Sequence, residues 1–183
     1  MITVDYPALT PPVGTDDHVQ GPSAAPVTLV EYGDYECPFC KQAHGIVKAV
    51  QRHMGGNLRF VFRHFPLTQI HPHAGRAAEA AEAAGAQGAF WEFHDMLFEH
   101  QDALEDHALV SYASALGLNV EQFVRELGDG TYAPRVRDHF MSGVRSGVNG
   151  TPCFFFNGRR HDTSWDVASL IAAAERAREV VMR

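Results

Sequence analysis

The stretch Val27-Thr28-Leu29-Val30-Glu31-Tyr32-Gly33-Asp34-Tyr35-Glu36-Cys37-Pro38-Phe39-Cys40 decides how this chain is read. Val27 to Tyr32 is a near-continuous apolar run, interrupted by Glu31, which predicts a strand buried on both faces. Cys37 opens a helical pattern in which Ile46, Val47, Val50 and Met54 recur at helical spacing until Gly55-Gly56 stop it. Two thiols therefore sit where a strand hands over to a helix. The free N–H groups and positive end of a helix favour a thiolate over a thiol, and Pro38 suits a first turn whose N–H has no helical partner. Cys-x-x-Cys in this position predicts disulfide exchange, with Cys37 as the attacking thiol and Cys40, one turn inward, as the resolving thiol.

Leu58 to Arg63 reads as a second strand, so the pattern around the dithiol is a βαβ unit with a right-handed crossover. From His71 to about Ser146 only helices are expected. Pro72 starts the first, which an Ala-rich run carries through residues 74–86 to Phe90, Phe93 and Leu97, with Gly85 and Gly88 placed to kink or divide it. A second runs from about Asp106 to Leu116; a third is capped by Asn119 with Gln122 at N3 and Leu118 stapling Phe123. A fourth places Val136, Phe140 and Val144 four apart. Strand character returns at Thr151 to Phe156, then Asn157-Gly158 predicts a tight hairpin turn into an edge strand, Arg159 to Asp162. Thr163 is expected to cap the last helix, with Val167, Leu170, Ile171 and Ala174 on its core face. The resulting division is an extended arm over 1–25, in which His18 to Gln20 can add an edge strand, an α/β core over 26–70 and 147–183, and a helical insertion over 71–146.

The chain has 183 residues, enough for one good core, and its 45% hydrophobic and 20% charged content is that of an ordinary globular protein. A net charge of -7 lacks the basic face that nucleic acid or an anionic membrane requires, and there is no apolar span for membrane insertion. Residues 1–26 carry no basic residue and no apolar secretory core, so with Met1 as the native start a cytoplasmic location is expected, and an extracytoplasmic one if a leader has been removed. Three cysteines are an odd number and do not make a structural disulfide framework.

The order βαβ, helical insertion, ββα, with Cys37-Pro38-Phe39-Cys40, the segment Ala25 to Cys40, His71-Pro72, Gln87 to Trp91 and the late Gly150-Thr151-Pro152, resembles the DsbA-like branch of the thioredoxin superfamily. The resemblance implies an α/β thioredoxin-like fold with an inserted four-helix cap and thiol-disulfide oxidoreductase activity without a bound cofactor. It implies a cis Thr151-Pro152 bond facing the dithiol, with Pro152 leaving the Thr151 backbone free to pair with an extended substrate. It also matches Glu31, six residues before Cys37, to a buried acid that moves protons for the inner thiol. The strongly oxidising members carry His where this chain has Phe39. A neutral ring, with Glu31, Asp34 and Glu36 nearby, predicts a weaker oxidant.

Other readings stand beside these. A dithiol of this kind also fits a structural zinc knuckle, although no second Cys pair completes one. Strand alternation sends Cys153 into the core as a small inert side chain; the sharper alternative is a third redox thiol. His71-Pro72-His73, with His64 close in sequence, invites a metal reading, but a structural role at a helix start is preferred, and His44 lies one turn beyond Cys40. The function expected is exchange with protein or small-molecule disulfides, served by a thiol electron donor or acceptor. In a reducing cytosol the favoured direction is reduction or isomerisation. The rival is a non-catalytic thioredoxin-fold binding module whose dithiol senses redox state or holds zinc.

Overall fold

The structure is a computed structural model and describes residues 7–182. Residues 1–6 of the expected arm and Arg183 lie outside the described residues. Two compact units emerge: one from the N-terminal segment to Gly33, Gln42–Arg63 and Met141 onward, the other from Asp34–Lys41 and His64–Phe140.

The first unit is built on a five-stranded sheet in the order β1-β3-β2-β4-β5. Its strands are β1 (His18–Gln20), β2 (Val27–Gly33), β3 (Leu58–His64), β4 (Cys153–Phe156) and β5 (Arg159–His161). The apolar runs become the central strands because they can be covered on both faces: Val27, Leu29, Val30, Tyr32, Phe60, Val61, Phe62, Phe154 and Phe155 are all buried. The short β1, antiparallel to β3 with Val19 opposite Val61, is the edge strand foreseen within the arm. Helix α1 (Pro38–Met54) connects β2 to β3 and stops where Gly55 adopts a positive φ of 52°. Asn157 and Gly158, with φ of 47° and 81°, make the two-residue β4–β5 turn that their side chains permit. Helix α7 (Val167–Val181) packs on β2 and β4 through Leu170, Ala173 and Ala174, while the expected core residue Val167 is exposed. Its cap is Asp166, which accepts from Ser169 N at 2.9 Å, rather than Thr163, so the helix starts later than the Thr163 signal implied.

The arm is fastened by a buried cation. Arg63, 3% exposed, donates from Nε and Nη2 to the two Asp17 carboxylate oxygens at 2.8 Å each. It also donates to the Pro11 and Pro12 carbonyls and the Tyr32 hydroxyl at 2.9, 3.2 and 3.0 Å. Burial works against the guanidinium charge, yet the bonds to Asp17 and Tyr32 outweigh it and hold its pKa above the ordinary value.

The second unit is helical: α2 (Ala74–Gly85), α3 (Phe90–Glu99), α4 (Asp106–Ala115), α5 (Val120–Gly128) and most of α6 (Ala133–Arg145). The chain between β3 and β4 thus carries five helices among the described residues rather than four. The expected first helix breaks at Gly85–Ala89, where Gly88 has φ 81°, and it begins at Ala74 rather than Pro72. The methyl-sized face Ala77, Ala80, Ala81 and Ala84 lets α2 lie against α3, α4 and α5, with Phe93, Leu97, Leu109 and Phe123 filling the core. Asn119 caps α5 as its spacing predicts, Oδ1 accepting from Gln122 N at 2.9 Å. Val144 on α6, expected on an apolar face, is exposed.

Candidate active site

Cys37 immediately precedes α1, Pro38 is its first residue, and Cys40 lies one turn in. Cys40 is fully buried and Cys37 nearly so, at 0% and 4% exposure, whereas Phe39 between them is 56% exposed. The inner cysteine is the more deeply buried of the two, and the exposed apolar surface between them is the Phe39 ring.

The loop that presents the thiols is held by side chains of its own unit. Asp34 forms an Asx turn, its Oδ1 accepting from Glu36 N at 2.8 Å, and its carbonyl accepts from Cys37 N at 3.1 Å. Its Oδ2 accepts from Leu67 N at 2.8 Å and meets His71 Nδ1 at 2.7 Å. The Asp34 backbone N–H points at Cys40 Sγ, 3.4 Å away. Glu36, next to Cys37, is gripped by one residue twice: Oε2 accepts from His73 N at 2.7 Å and Oε1 meets His73 Nδ1 at 2.9 Å. That bond to Glu36 raises the His73 pKa above its ordinary 6.5, against a smaller opposing effect of burial. Gln101, in the loop between α3 and α4, donates from Nε2 to the carbonyls of both Tyr35 and Cys37 at 2.8 Å. Tyr35 itself is buried, its hydroxyl 3.0 Å from His94 Nδ1 and its ring 5.0 Å from that of Phe98.

The remaining residues singled out in the sequence belong to the first unit. Glu31 is buried in β2 at 2% exposure and stands opposite Phe154. The Thr151-Pro152 bond is cis and the pair is half-buried just before β4. Cys153 pairs with Tyr32 across the β2–β4 ladder, so alternation puts it on the sheet face opposite to Glu31. Burial pushes the Cys153 thiol up to about 11, with Arg160 pulling it down slightly and Asp162 adding to the rise.

Two features of the dithiol loop escaped sequence reading. Asp34 figured there only as negative charge, although an Asp two residues before the amide it accepts from is a legible Asx signal. Gln101 carried no signal, since it is one polar residue among several in a loop, 64 residues from Cys37. The paired histidines His71 and His73 bind carboxylates of this loop, which accounts for their spacing without a metal. Elsewhere His64, Glu82 and His139 cluster at metal-ligand spacing, but Glu82 is shared between His64 Nε2 at 2.8 Å and Arg135 Nε at 2.7 Å. Among the described residues, no group at metal-ligand spacing includes Cys37 or Cys40.

Comparison with known proteins gives a consistent picture. A protein-family profile described as Thioredoxin matches residues 14–175. The chain is similar to BdbD from Bacillus subtilis, with a TM-score of 0.84 and 25% identity over 96% of this chain and 99% of that one. It is similar also to a thioredoxin-like oxidoreductase from Silicibacter pomeroyi, with a TM-score of 0.78 and 29% identity over 91% and 94%. A curated relative named Na(+)/H(+) antiporter NhaA 1, from Salinispora arenicola, is 49% identical over 167 residues, covering 91% of this chain and 26% of the relative. The chain spans about a quarter of the length of the curated relatives it matches. By the extent of the family match, its five-stranded sheet with helical insertion and its Cys-x-x-Cys at the start of α1, the chain belongs to the thioredoxin family.

Proposed function

We propose that this chain exchanges disulfides, with Cys37 as nucleophile and Cys40 as resolving thiol. The observation that carries the reading is the dithiol loop itself: two cysteines one turn apart at the start of α1, the inner one buried under the Asp34 N–H. In the reducing direction the Cys37 thiolate attacks a substrate disulfide, forming a mixed disulfide and releasing one substrate sulfur as a thiolate. Cys40, as thiolate, then attacks Cys37 Sγ; the Cys37–Cys40 bond forms, the bond to substrate breaks, and the second substrate sulfur leaves and takes a proton. Two electrons have passed to the substrate, and a thiol donor restores the dithiol. The oxidising direction is the reverse.

We take the direction to be reduction or isomerisation, in a compartment whose thiol pool keeps the pair reduced. Phe39 between the thiols and Glu36 beside Cys37 support this, since neither offers a cation to stabilise a thiolate. The substrates are protein or small-molecule disulfides, and the exposed Phe39 suits an apolar segment of a protein. Glu31 as a buried proton-handling acid and the Thr151-Pro152 segment as a main-chain partner for substrate are supporting roles carried by the family resemblance. Ion transport is not assigned to this chain: it matches about a quarter of the antiporter-named relatives, and among the described residues no helix is long and apolar enough to cross a membrane.

The test is trapping. Cys40→Ser should accumulate mixed disulfides on Cys37, and the unaltered chain should reduce insulin with a thiol donor while Cys37→Ser does not. Stoichiometric zinc with no turnover would replace this reading by that of a binding module.

A further inference from the structure

Cys40 has to carry a negative charge in both directions of exchange. In reduction it attacks as a thiolate; in oxidation it is expelled from the Cys37–Cys40 bond as a thiolate when a substrate sulfur takes its place on Cys37. A fully buried sulfur is a poor place for that charge unless a donor is aimed at it. A donor aimed at it is the main-chain N–H of Asp34, 3.4 Å from Cys40 Sγ.

A main-chain N–H is only as well aimed as its residue is fixed, and residue 34 lies in a turn between β2 and α1. What fixes it is its own carboxylate, whose side chain is 0% exposed. Oδ1 takes the N–H of Glu36, and Oδ2 takes the N–H of Leu67 and faces His71 Nδ1. Three donors on two oxygens can be met by a carboxylate; Asn offers one acceptor oxygen and Ser or Thr a single short hydroxyl. The Leu67 and His71 bonds also tie residue 34 to a separate loop, so it cannot shift with the turn alone.

We propose that Asp34 is the positioning residue for the resolving step: its carboxylate, anchored on Glu36, Leu67 and His71, holds its main-chain N–H on Cys40 Sγ and so stabilises the Cys40 thiolate. The inference rests on the roles of Cys37 and Cys40 given above. The N–H serves Cys40 and not Cys37, so an Asp34 variant should slow the resolving step more than the attacking one.

The experiment uses the full chain with oxidised glutathione as probe, acid quenching and mass spectrometry. The Cys40→Ser background reports formation of the Cys37–glutathione adduct; the protein retaining Cys40 reports its resolution. Because a hydrogen bond to a charged group is at stake, Asp34→Ala should slow resolution on the order of tenfold to a hundredfold and slow adduct formation by a clearly smaller factor, the latter through the loosened turn before Cys37. Asp34→Asn keeps an oxygen for Glu36 N but turns an amide against Leu67 N, so its resolution rate should fall between those of alanine and wild type. If Asp34→Ala does not fold by circular dichroism, the same split in Asp34→Asn decides the matter. Unchanged resolution in the folded variants, or equal slowing of both steps, overturns the role of Asp34 alone. A wild-type chain that forms no adduct, or never resolves one, overturns the Cys37–Cys40 reading and this inference with it.

Discussion

Replacing Gln101 should loosen the dithiol loop, and the size of the effect follows from the contacts. The Gln101 amide spends its two N–H groups on the carbonyls of Tyr35 and Cys37, at 2.8 Å each. Gln101→Leu keeps much of the volume and removes both donors. The Cys37 carbonyl retains the Lys41 amide at 3.2 Å, so at that end the loss is that of one neutral bond rather than of an orphaned group. At a net 0.5–1.5 kcal/mol for each of the two bonds, the variant should be destabilised by about 2 kcal/mol. For a chain of this length that corresponds to a melting point lower by roughly 4–8 °C. Gln101→Glu should do more damage, because it turns carboxylate oxygens toward two carbonyl oxygens. Thermal unfolding of the reduced protein, followed by circular dichroism, measures the shift, and hydrogen exchange should show the Lys41 amide less protected. A melting point unchanged to within about 1 °C in Gln101→Leu would refute the bonding assigned to this side chain.

Arg63→Met removes the cation from buried Asp17 and a donor from the Pro11 and Pro12 carbonyls, so urea unfolding should show a loss of about 3–5 kcal/mol. His73 has a raised pKa in the folded chain, mainly through Glu36; its stabilising contribution is therefore complete below about pH 6.5 and lost as pH rises through the higher folded value. His73→Gln should accordingly cost stability near pH 6 and almost none near pH 9, and a wild-type-minus-variant difference that grows with pH would contradict the pairing. Cys153, pushed up to about 11 by burial, should resist alkylation at pH 8 in the native protein and react on unfolding, while Cys37 reacts without it. Native-state labelling of Cys153, or a disulfide from it to either other cysteine, would instead favour the third-thiol reading.

Much of the framework is local and so was legible in the residues. Val27 to Tyr32 reads as a doubly buried strand because every position but one is apolar or β-branched, and it is one. Asn119 announces α5 because a cap and the amide it accepts from are three residues apart. Asn157-Gly158 announces its turn because positive φ is open to glycine, which lacks a Cβ, and tolerated by asparagine. The cap of α7 was misplaced by three residues: Thr163 was expected, and Asp166, whose carboxylate accepts from Ser169 N, takes the position. The break at Gly88 was foreseen as a choice between a kink and a division, and division prevailed.

The amino-acid order by itself determined the order of the strands along the chain, the all-helical stretch between them and the position of Cys37 and Cys40 at a strand-to-helix junction, because periodicity, turn chemistry and a four-residue motif each act over a few residues; the family came from resemblance. The tertiary structure decided what surrounds the thiols and what holds the arm. Asp34 reaches Leu67 and His71, Gln101 reaches Tyr35 and Cys37, and Arg63 reaches Asp17. Each is a side chain bonding a partner dozens of residues away, at no fixed period, and such a bond has no signature in the chain until folding has brought its ends together.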